Sequence, residues 1–435
     1  MLAAYWREKN SGLTGTLPFF VEKLANMNNI TTCKNNVRSL LLVIFILSAL
    51  ITFSAHTIRA QGKKTVIKAT NEKATIDDGE NVHMDWKLDP KADPDIYYVN
   101  VPYRKGTVRF KTDKDQLIFH TKPGKTYTFT VLLNTKDSCI VQIVSALPPD
   151  LPTTEAHDQY PASIPFEMIG SKIFLHGIIN GKEAKVQFDL GAGTSVVNRN
   201  VSEKLALSFS GHTIVSNTEG VNKERTSTGN HLIIGSLNWS GVPLTEVGNM
   251  KPYEDLIIGN GFFRNHVIEI DYDHKEFIIH KNLPDKVVGY TKLPVFYEQN
   301  RPKFKAEITH NGKNYSFWFL FDTGRDGSML IGEDFTSKNG YWQELLPLTI
   351  INGRKIVRLD ATIAGVHFRD VVTNAADPEK PGGRSSLFGN QILSHFNVIL
   401  DNINGFIYLK SNGRTSEPYS SYDDYLIEMK KMKNK

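Results

Sequence analysis

Apolar and polar residues alternate in short runs over most of the chain beyond its N-terminal segment. In the first part, residues 106–111, 116–120 and 126–133 are rich in β-branched and aromatic residues and are separated by turn formers. Such alternation is typical of strands that bury one face. We therefore predict a small antiparallel β domain over residues 61–155, and the proline-rich segment 148–152 marks a linker at its end.

Two hairpins are predicted further along the chain by Asn-Gly dipeptides, at 180–181 and 311–312, that lie between alternating runs. Asn-Gly is the strongest short-range hairpin signal because both turn residues adopt positive φ. The second strand of each hairpin runs directly into an aspartate, Asp189 in one case and Asp322 in the other. Each aspartate therefore leaves a strand and enters a turn that contains glycine.

The surroundings of these two aspartates are repeated: the first stands in the sequence FDLGAG and the second in FDTGRD. An apolar-apolar-Gly segment follows each of them, since Gly259 lies 70 positions after Asp189 and Gly389 lies 67 positions after Asp322. One such motif alone is an ordinary turn. The duplicated signature indicates two copies of a mostly β unit of about 115 residues. A short helical turn is expected after each of the two glycines.

These repeated features resemble the retropepsin-like and pepsin-like aspartic proteases. In that family an Asp-Thr/Ser-Gly turn in each of two lobes supplies half of a catalytic dyad, and the apolar-apolar-Gly strand crosses beneath the turn. The resemblance covers residues 165–410 and implies a mainly β fold. Its two lobes, at 160–285 and 286–412, are expected to form an acid-protease-like pair of β-barrels with pseudo-two-fold symmetry. The single chain is similar to pepsin-type enzymes, whereas FDLGA is closer to retroviral and bacterial retropepsin-like motifs.

The resemblance implies that Asp189 and Asp322 form the catalytic dyad of an aspartic endopeptidase. Two carboxylates about 3 Å apart cannot both ionise, so one keeps a proton. The ionised carboxylate takes a proton from a water, and the protonated one donates to the carbonyl of a peptide or protein substrate, without cofactor or metal. The pair titrates as a unit. Gly191 and Gly324 are expected to let the backbone turn tightly and to direct amide groups at the carboxylates.

The sequence departs from the family pattern at two positions. Leu190 stands where the family has Thr or Ser, whose hydroxyl bonds across to the other lobe, whereas Thr323 keeps that hydroxyl. Arg325 stands where the family has Ser, Thr or Ala. An Arg beside the dyad lowers the pKa values of its carboxyl groups. The alternative, which we expect, is that Arg325 pairs with Asp326 and points away.

A protease of this kind also needs a hairpin that closes over the substrate and excludes water. In the first lobe the candidate is residues 213–234, which are polar in the middle and return through an apolar run. In the second lobe a shorter hairpin is predicted at residues 348–357, around the dipeptide Asn352-Gly353.

The N-terminal segment, residues 1–60, is typical of a secretory signal peptide or an uncleaved membrane anchor. Residues 39–55 are 17 uncharged, mostly apolar residues, preceded by Lys34 and Arg38. This is the layout of a signal peptide, and its length is marginal for a spanning helix. Translation from Met27 gives a more usual signal peptide length. We expect the rest of the chain to be exported to the periplasm or the extracellular space, with membrane contact only if the segment is uncleaved.

Composition adds few constraints. The chain has 435 residues, 40% hydrophobic and 22% charged, which is typical of a globular protein. A net charge of +5 without a basic stripe gives no reason to expect nucleic-acid binding. Residues 413–435 are interpreted as a basic, solvated tail. The histidines do not stand at metal-ligand spacing, and Cys139 is expected to be a buried, unreactive residue.

Two other interpretations remain open at this stage. A protease-like fold with weak or no catalysis would instead bind peptides or a protein partner, and Leu190 with Arg325 favours this interpretation. Alternatively, the two aspartates belong to separate half-sites that a dimer of chains completes. Because one chain carries two complete units, we expect a monomer in which both aspartates meet.

Overall fold

The computed structural model describes residues 65–77, 83–92, 94–98, 106–122, 124–145, 154–155, 160–217, 220–351, 354–379 and 385–433. The signal or anchor predicted within residues 1–60 lies outside these residues. Within the described residues, no helix is long and apolar enough to cross a membrane.

Eight strands form the N-terminal part of the molecule, which we call the N-terminal sandwich (residues 65–145). They are β1 (Val66–Ala69), β2 (Lys73–Asp77), β3 (His83–Lys87), β4 (Asp95–Tyr98), β5 (Gly106–Thr112), β6 (Gln116–Thr121), β7 (Thr126–Leu133) and β8 (Asp137–Val144). Their order is β1-β7-β8-β4 in one sheet and β3-β2-β5-β6 in the other. Alternate residues of both sheets, such as Ile76, Phe110, Phe129 and Val141, are buried in a common core.

The prediction of a purely antiparallel domain was wrong for one of these sheets. β1 runs parallel to β7, and β4 runs parallel to β8, whereas the second sheet is antiparallel throughout. Alternation shows that a segment is a strand with one buried face, but it carries no information on the direction of its neighbour. Here the partners are distant in the chain, Val66 opposite Thr130 and Asp95 opposite Val141, so no local turn dictates the direction.

The next strands belong to the first repeat (residues 160–285), apart from β9, which precedes it. They are β9 (Thr154–Glu155), β10 (Ala162–Pro165), β11 (Glu167–Ile169), β12 (Lys172–Ile179), β13 (Lys182–Phe188), β14 (Val196–Asn198), β15 (Phe209–Asn217), β16 (Gly220–Ile234), β17 (Leu237–Val247), β18 (Leu256–Ile258), β19 (Val267–Asp271) and β20 (Glu276–His280). Short 3-10 helices lie at Asn260–Phe263 and Asp285–Val287.

The second repeat (residues 286–412) follows the same order. Its strands are β21 (Thr291–Glu298), β22 (Arg301–His310), β23 (Lys313–Asp322), β24 (Met329–Leu330), β25 (Thr349–Ile351), β26 (Arg354–Ile363), β27 (Val366–Ala375), β28 (Leu387–Gly389), β29 (Phe396–Asp401) and β30 (Phe406–Ser411). Its helices are α1 (Glu333–Thr336), α2 (Tyr341–Glu344) and α3 (Asn390–Leu393), and α4 (Tyr422–Lys433) follows the repeat.

The chain is thus mainly β, as predicted, and the two Asn-Gly hairpins form at the predicted positions. β12 pairs with β13, and β22 pairs with β23. All four turn residues at 180–181 and 311–312 have positive φ, which matches the mirror-image turns that suit the twist of a hairpin. The predicted helical turns after Gly259 and Gly389 are also present, as the 3-10 helix at Asn260–Phe263 and as α3.

One sheet joins the two repeats. Strands β10, β20 and β19 of the first repeat are followed in it by β29, β30 and β21 of the second. At its centre β19 pairs with β29 in antiparallel register, Ile268 opposite Leu400 and Ile270 opposite Val398. These four side chains are buried, so the sheet carries part of the molecule's main core.

The last residues differ from the solvated tail that composition suggested. Residues 422–433 form α4, and the hydroxyl of Tyr425 donates to the carbonyl of Leu348, 3.4 Å away. Arg358 of β26 donates to the hydroxyl of Tyr422 at 2.7 Å. The helix is therefore attached to the second repeat through its tyrosines, while Lys430 and Lys431 remain exposed.

Candidate active site

The two aspartates lie at the ends of equivalent strands. Asp189 follows β13, beside which β18 runs in parallel with Ile258 opposite Phe188. Asp322 ends β23, beside which β28 runs in parallel. β14 pairs antiparallel with β18, and β24 pairs antiparallel with β28. Each aspartate loop, residues 189–195 or 322–328, therefore connects two strands that lie on either side of the apolar-apolar-Gly strand.

The glycine that ends each of these crossing strands is required for space. A methyl group on Gly259 would lie within 3.0 Å of the Ala192 carbonyl oxygen. A methyl group on Gly389 would come equally close to the carbonyl oxygen of Gly327. The spacing of about 70 residues from Asp to Gly in the sequence thus reflects the return of the chain beneath its own aspartate loop.

The structure brings the carboxyl groups of Asp189 and Asp322 together within one chain. The backbone amide of Gly324 donates to Oδ1 of Asp189 at 3.1 Å and to Oδ1 of Asp322 at 3.0 Å. The two carboxyl groups also hydrogen bond to one another. Further amides point at the pair, from Gly191 to Asp189 at 2.7 Å and from Arg325 to Asp322 at 3.0 Å. No second chain is needed to bring the two aspartates together.

Gly191 and Gly324 serve this pairing by the room that they leave. A methyl group on Gly191 would lie within 3.0 Å of the Asp322 carboxyl group, and one on Gly324 within 3.0 Å of that of Asp189. Neither glycine has a positive φ. The sequence-based expectation that they are needed for a tight turn was therefore incomplete, because the carboxyl group of the opposite repeat excludes any larger residue.

Burial and mutual repulsion hold one proton on this pair. Burial raises the pKa of Asp189 to about 8, and the charge of Asp322 adds to the effect. Burial also raises the pKa of Asp322, but the positive charge of Arg325 opposes that rise. Hydrogen bonds from Asp189 and from the amides of Gly324 and Arg325 oppose it further. Burial thus keeps one proton on the pair as a whole, and Arg325 and the amides favour the ionised form of Asp322.

Beneath the pair, a single hydroxyl connects the two aspartate loops. Oγ1 of Thr323 accepts from the amide of Leu190 at 2.9 Å and donates to the carbonyl of Phe188 at 3.1 Å. Leu190 is fully buried in the core of the first repeat and offers no hydroxyl in return. The cross-repeat contact predicted for this family is thus made from one side only.

Arg325 and Asp326 have different surroundings. The carboxylate of Asp326 accepts from the amide and the hydroxyl of Ser171 in the first repeat, at 3.1 and 2.9 Å. The side chain of Arg325 runs past Gly327 and Gly389 and is close enough to Asp322 to lower its pKa. The expectation that Arg325 points away from the dyad does not account for its effect on the pKa of Asp322.

Two asparagines that sequence reasoning did not single out also link the repeats. The side-chain amide of Asn260 donates to the carbonyl of Asn300 at 3.2 Å. By the same symmetry, the side-chain amide of Asn390 donates to the carbonyl of Ser171. The sequence does contain the signal, since an Asn follows the Gly of both apolar-apolar-Gly segments. Each Asn thus secures a turn of the opposite repeat beside the aspartate loops.

Hairpins are present where substrate-covering segments were predicted. β15 and β16 form the first, and β25 and β26 form the second. Arg225 of β16 donates to the buried carboxylate of Glu246 at 2.7 and 2.9 Å, which attaches the base of the first hairpin to β17. Residues 218–219 and 352–353, between the paired strands, lie outside the described residues.

Cysteine and potential metal ligands were the other candidate reactive groups. Burial raises the pKa of Cys139 to about 12, so this thiol in the N-terminal sandwich stays protonated and unreactive. Among the described residues, no group of three or more His, Cys, Asp and Glu side chains is placed to hold a metal ion.

Of the comparisons with known proteins, the one with solved structures gave matches. No family model matches the chain, and no curated protein does. Among solved structures, the chain is similar to an aspartic proteinase from Irpex lacteus, with 12% sequence identity and a TM-score of 0.42, over 60% of this chain and 99% of that one. At this identity and TM-score the likeness is distant, and the chemistry of the site has to be inferred from its own residues.

Proposed function

We propose that the protein is an aspartic endopeptidase, with Asp189 and Asp322 as its dyad and a two-lobed, acid-protease-like pair of β-barrels as its fold. The observation that carries the proposal is the Gly324 amide, which bonds to one oxygen of each carboxyl group. Two acids held in this way cost stability, because burial and repulsion force one of them to stay protonated. A purely structural role does not require two buried acids that share one proton. Peptide hydrolysis, in contrast, uses one ionised and one protonated carboxyl group.

In the proposed mechanism, ionised Asp322 takes a proton from a water molecule as its oxygen attacks the peptide carbonyl carbon. Asp189 gives its proton to the carbonyl oxygen, so a neutral tetrahedral diol forms without an acyl-enzyme. A proton then passes from Asp322 to the leaving nitrogen, and as the C–N bond breaks a hydroxyl of the diol returns a proton to Asp189. The acid and the amine leave, and the pair again holds one proton.

The substrate is a peptide or an unfolded stretch of protein, and no cofactor or metal takes part in the proposed reaction. We propose that the enzyme acts as a monomer, since both carboxyl groups come from one chain. We further propose that it acts after export, in the periplasm or the extracellular space, or at a membrane if the N-terminal segment is retained.

A second candidate function is peptide or protein binding without efficient hydrolysis. The observation that favours it is Leu190, which has no hydroxyl to offer the second loop, so that Thr323 makes the hydroxyl contact between the repeats from one side only. Looser loops would misplace the dyad, and an error of about 1 Å at the reacting groups is enough to lower a rate about a hundredfold. The fold would then hold a peptide without cleaving it.

The dyad is tested by incubating the purified protein with unfolded, disulfide-reduced proteins between pH 3 and 7 and identifying fragments by mass spectrometry. We expect cleavage by the wild type, inhibition by the transition-state analogue pepstatin, and at least about a 10³-fold loss in Asp189→Asn and in Asp322→Asn. Asp423→Asn is the matched control, because Asp423 is an exposed residue of α4.

Two results would contradict the proposal. Cleavage that survives in both Asn variants would show that another group, or a contaminating protease, does the chemistry. No cleavage by the wild type, together with saturable binding of the same peptides, would favour the binding function instead.

A further inference from the structure

Two turns of equivalent position lie beside the aspartate loops. In the first repeat, Gly170 and Ser171 join β11 to β12, and in the second repeat, Gln299 and Asn300 join β21 to β22. Gly170 and Gln299 both have a φ of 60°. The backbone of the two turns therefore takes the same left-handed path, but only the first has the residue that adopts it at no cost.

In the first repeat, this turn is held by the opposite aspartate loop. The carboxylate of Asp326 bonds to Ser171 and lies so close to Gly170 that a methyl group there would come within 3.0 Å of it. Glycine is thus favoured at position 170 by its φ and required there by the closeness of Asp326. The turn and the second aspartate loop form one packed unit.

In the second repeat, the equivalent interaction cannot form. The residue four positions after Asp189, where Asp326 stands relative to Asp322, is Gly193 and has no side chain. A methyl group added to Gly193 would have Cβ of Gln299 and Cδ of Arg301 as its nearest neighbours, both at 3.9 Å. Gly193 therefore leaves room for a side chain on the turn, and Gln299 uses it in spite of its unfavourable φ.

From a backbone position beside Gly193, the side chain of Gln299 extends to the N-terminal sandwich. Its Nε2 donates to the carbonyl of Tyr98, 3.4 Å away, and it also hydrogen bonds with the buried hydroxyl of Tyr97. Phe296 of β21 is buried in the core of the sandwich, and Trp318 of β23 packs against the same core. The sandwich is thus docked on the second repeat at the very turn that touches the first aspartate loop.

A buried ionic cluster fixes the turn from its other side. Nζ of Lys303 donates to Glu298 at 3.0 Å and to Asp334 at 3.1 Å, and Lys303 is completely buried. Arg301 donates to Glu298 at 2.6 Å, and the hydroxyl of Ser385 donates to Glu298 at 3.0 Å. The cluster holds Glu298 and Arg301, which lie on either side of the turn that contains Gln299. Because the ends of the turn are fixed, a displacement of the sandwich acts on the aspartate loop through Gln299.

We propose that Gln299 is a positioning residue through which the N-terminal sandwich holds the first aspartate loop, residues 189–195, in place. The sandwich does for this loop what the pairing of Asp326 with Ser171 does for the second loop. The effect that this inference predicts on kcat rests on the proposed peptidase function, whereas the effect that it predicts on hydrogen exchange does not.

The experiment compares the full-length wild type with Gln299→Met and Gln299→Gly. Met keeps the length of the side chain but makes neither hydrogen bond, and Gly also relieves the left-handed backbone. Hydrogen exchange followed by mass spectrometry measures residues 189–198, with residues 322–328 as the internal control. We expect exchange to become at least about fivefold faster in the first segment and to stay unchanged in the second.

Catalysis provides an independent readout. We expect kcat to fall at least about fivefold in both variants with KM little changed, because a displaced dyad lowers the rate without removing substrate contacts. Gln299→Gly should not lower the melting temperature, so loss of folding cannot account for its slower turnover. The double variant Gly193→Asp, Gln299→Gly copies the first repeat's arrangement and should restore both exchange protection and kcat.

The outcomes separate the two proposals. Wild-type exchange over residues 189–198 in both single variants would overturn the role of Gln299, even if the protein cleaves peptides. Faster exchange there, in a protein that never cleaves any substrate, would support the positioning role while the proposed peptidase function fails.

Discussion

The two aspartates are chemically unequal although the backbone around them is nearly symmetric. Arg325 directly follows the Asp-Thr-Gly of the second repeat, whereas Ala192 occupies the equivalent position after the Asp-Leu-Gly of the first. Its positive charge favours the ionised form of Asp322. In the proposed mechanism, Arg325 therefore favours Asp322 as the base and Asp189 as the acid.

This inequality predicts how pH dependence changes when Arg325 is replaced. Without the guanidinium charge the pKa of Asp322 rises, so Asp322 becomes protonated at a higher pH. The acidic limb of the kcat/KM profile should therefore move to higher pH in Arg325→Met. The alkaline limb, where Asp189 loses its proton near its pKa of about 8, should move much less.

Arg325→Lys is the matched control, because it keeps the charge and should keep the wild-type acidic limb. Profiles of all three proteins measured with one peptide provide the comparison. An acidic limb in Arg325→Met that coincides with the wild-type limb would show that the charge does not act on the dyad.

At the scale of elements, each aspartate loop depends on strands that come from distant parts of the chain. The crossing strands β18 and β28 pair with the strands that lead into the two loops and so fix the position of the loops. The hydroxyl of Thr323 joins one loop to the other. The hydrogen bonds of Thr323 are buried between the repeats, where water cannot replace a lost partner of a backbone amide or carbonyl. This one hydroxyl therefore matters more for stability than its size suggests.

We expect Thr323→Val to lower the free energy of unfolding by about 2–4 kcal/mol, because it leaves the Leu190 amide and the Phe188 carbonyl without their partner. Thr323→Ser keeps the hydroxyl and should cost only about 1 kcal/mol, the contribution of the one buried methyl group that it removes. Urea denaturation provides the values. Equal losses in the two variants would indicate that packing of the methyl group, not hydrogen bonding, is what stabilises the contact.

At the scale of the whole molecule, three parts of the chain share their interiors. β19 and β29 form the centre of one sheet that belongs to both repeats. Phe296 of the second repeat is buried in the core of the N-terminal sandwich, so that core is incomplete without it. Separation of any part would expose large apolar surfaces, each buried Phe alone contributing about 2–3 kcal/mol.

Residues 64–435 should accordingly unfold in one cooperative transition. Scanning calorimetry is expected to give a single peak whose calorimetric and van't Hoff enthalpies agree. Phe296→Ala should lower the temperature of that peak without splitting it. Two resolved peaks in the wild type would mean that the sandwich or one repeat folds independently of the rest.

Local sequence determined the elements of this protein and the residues that face one another across its site. Alternation predicted strands such as β5, β6 and β7, and Asn-Gly predicted the two hairpins, because both are short-range effects of side-chain direction and backbone φ. Duplication of the motif predicted that Asp189 and Asp322 would lie at equivalent ends of two similar units. The parallel strand pairs of the sandwich were beyond such reasoning, since pairing direction depends on distant connections.

The tertiary structure alone decided which atoms of the two halves meet. Nothing local to Gly324 shows that it must make room for a carboxyl group of the other repeat, or that its amide bonds to both acids. Nor does the sequence around Gln299 show that its side chain donates to the carbonyl of Tyr98 in the N-terminal sandwich. The physical reason is that hydrogen bonding, steric exclusion and burial act between atoms that are close in space, whatever their separation along the chain.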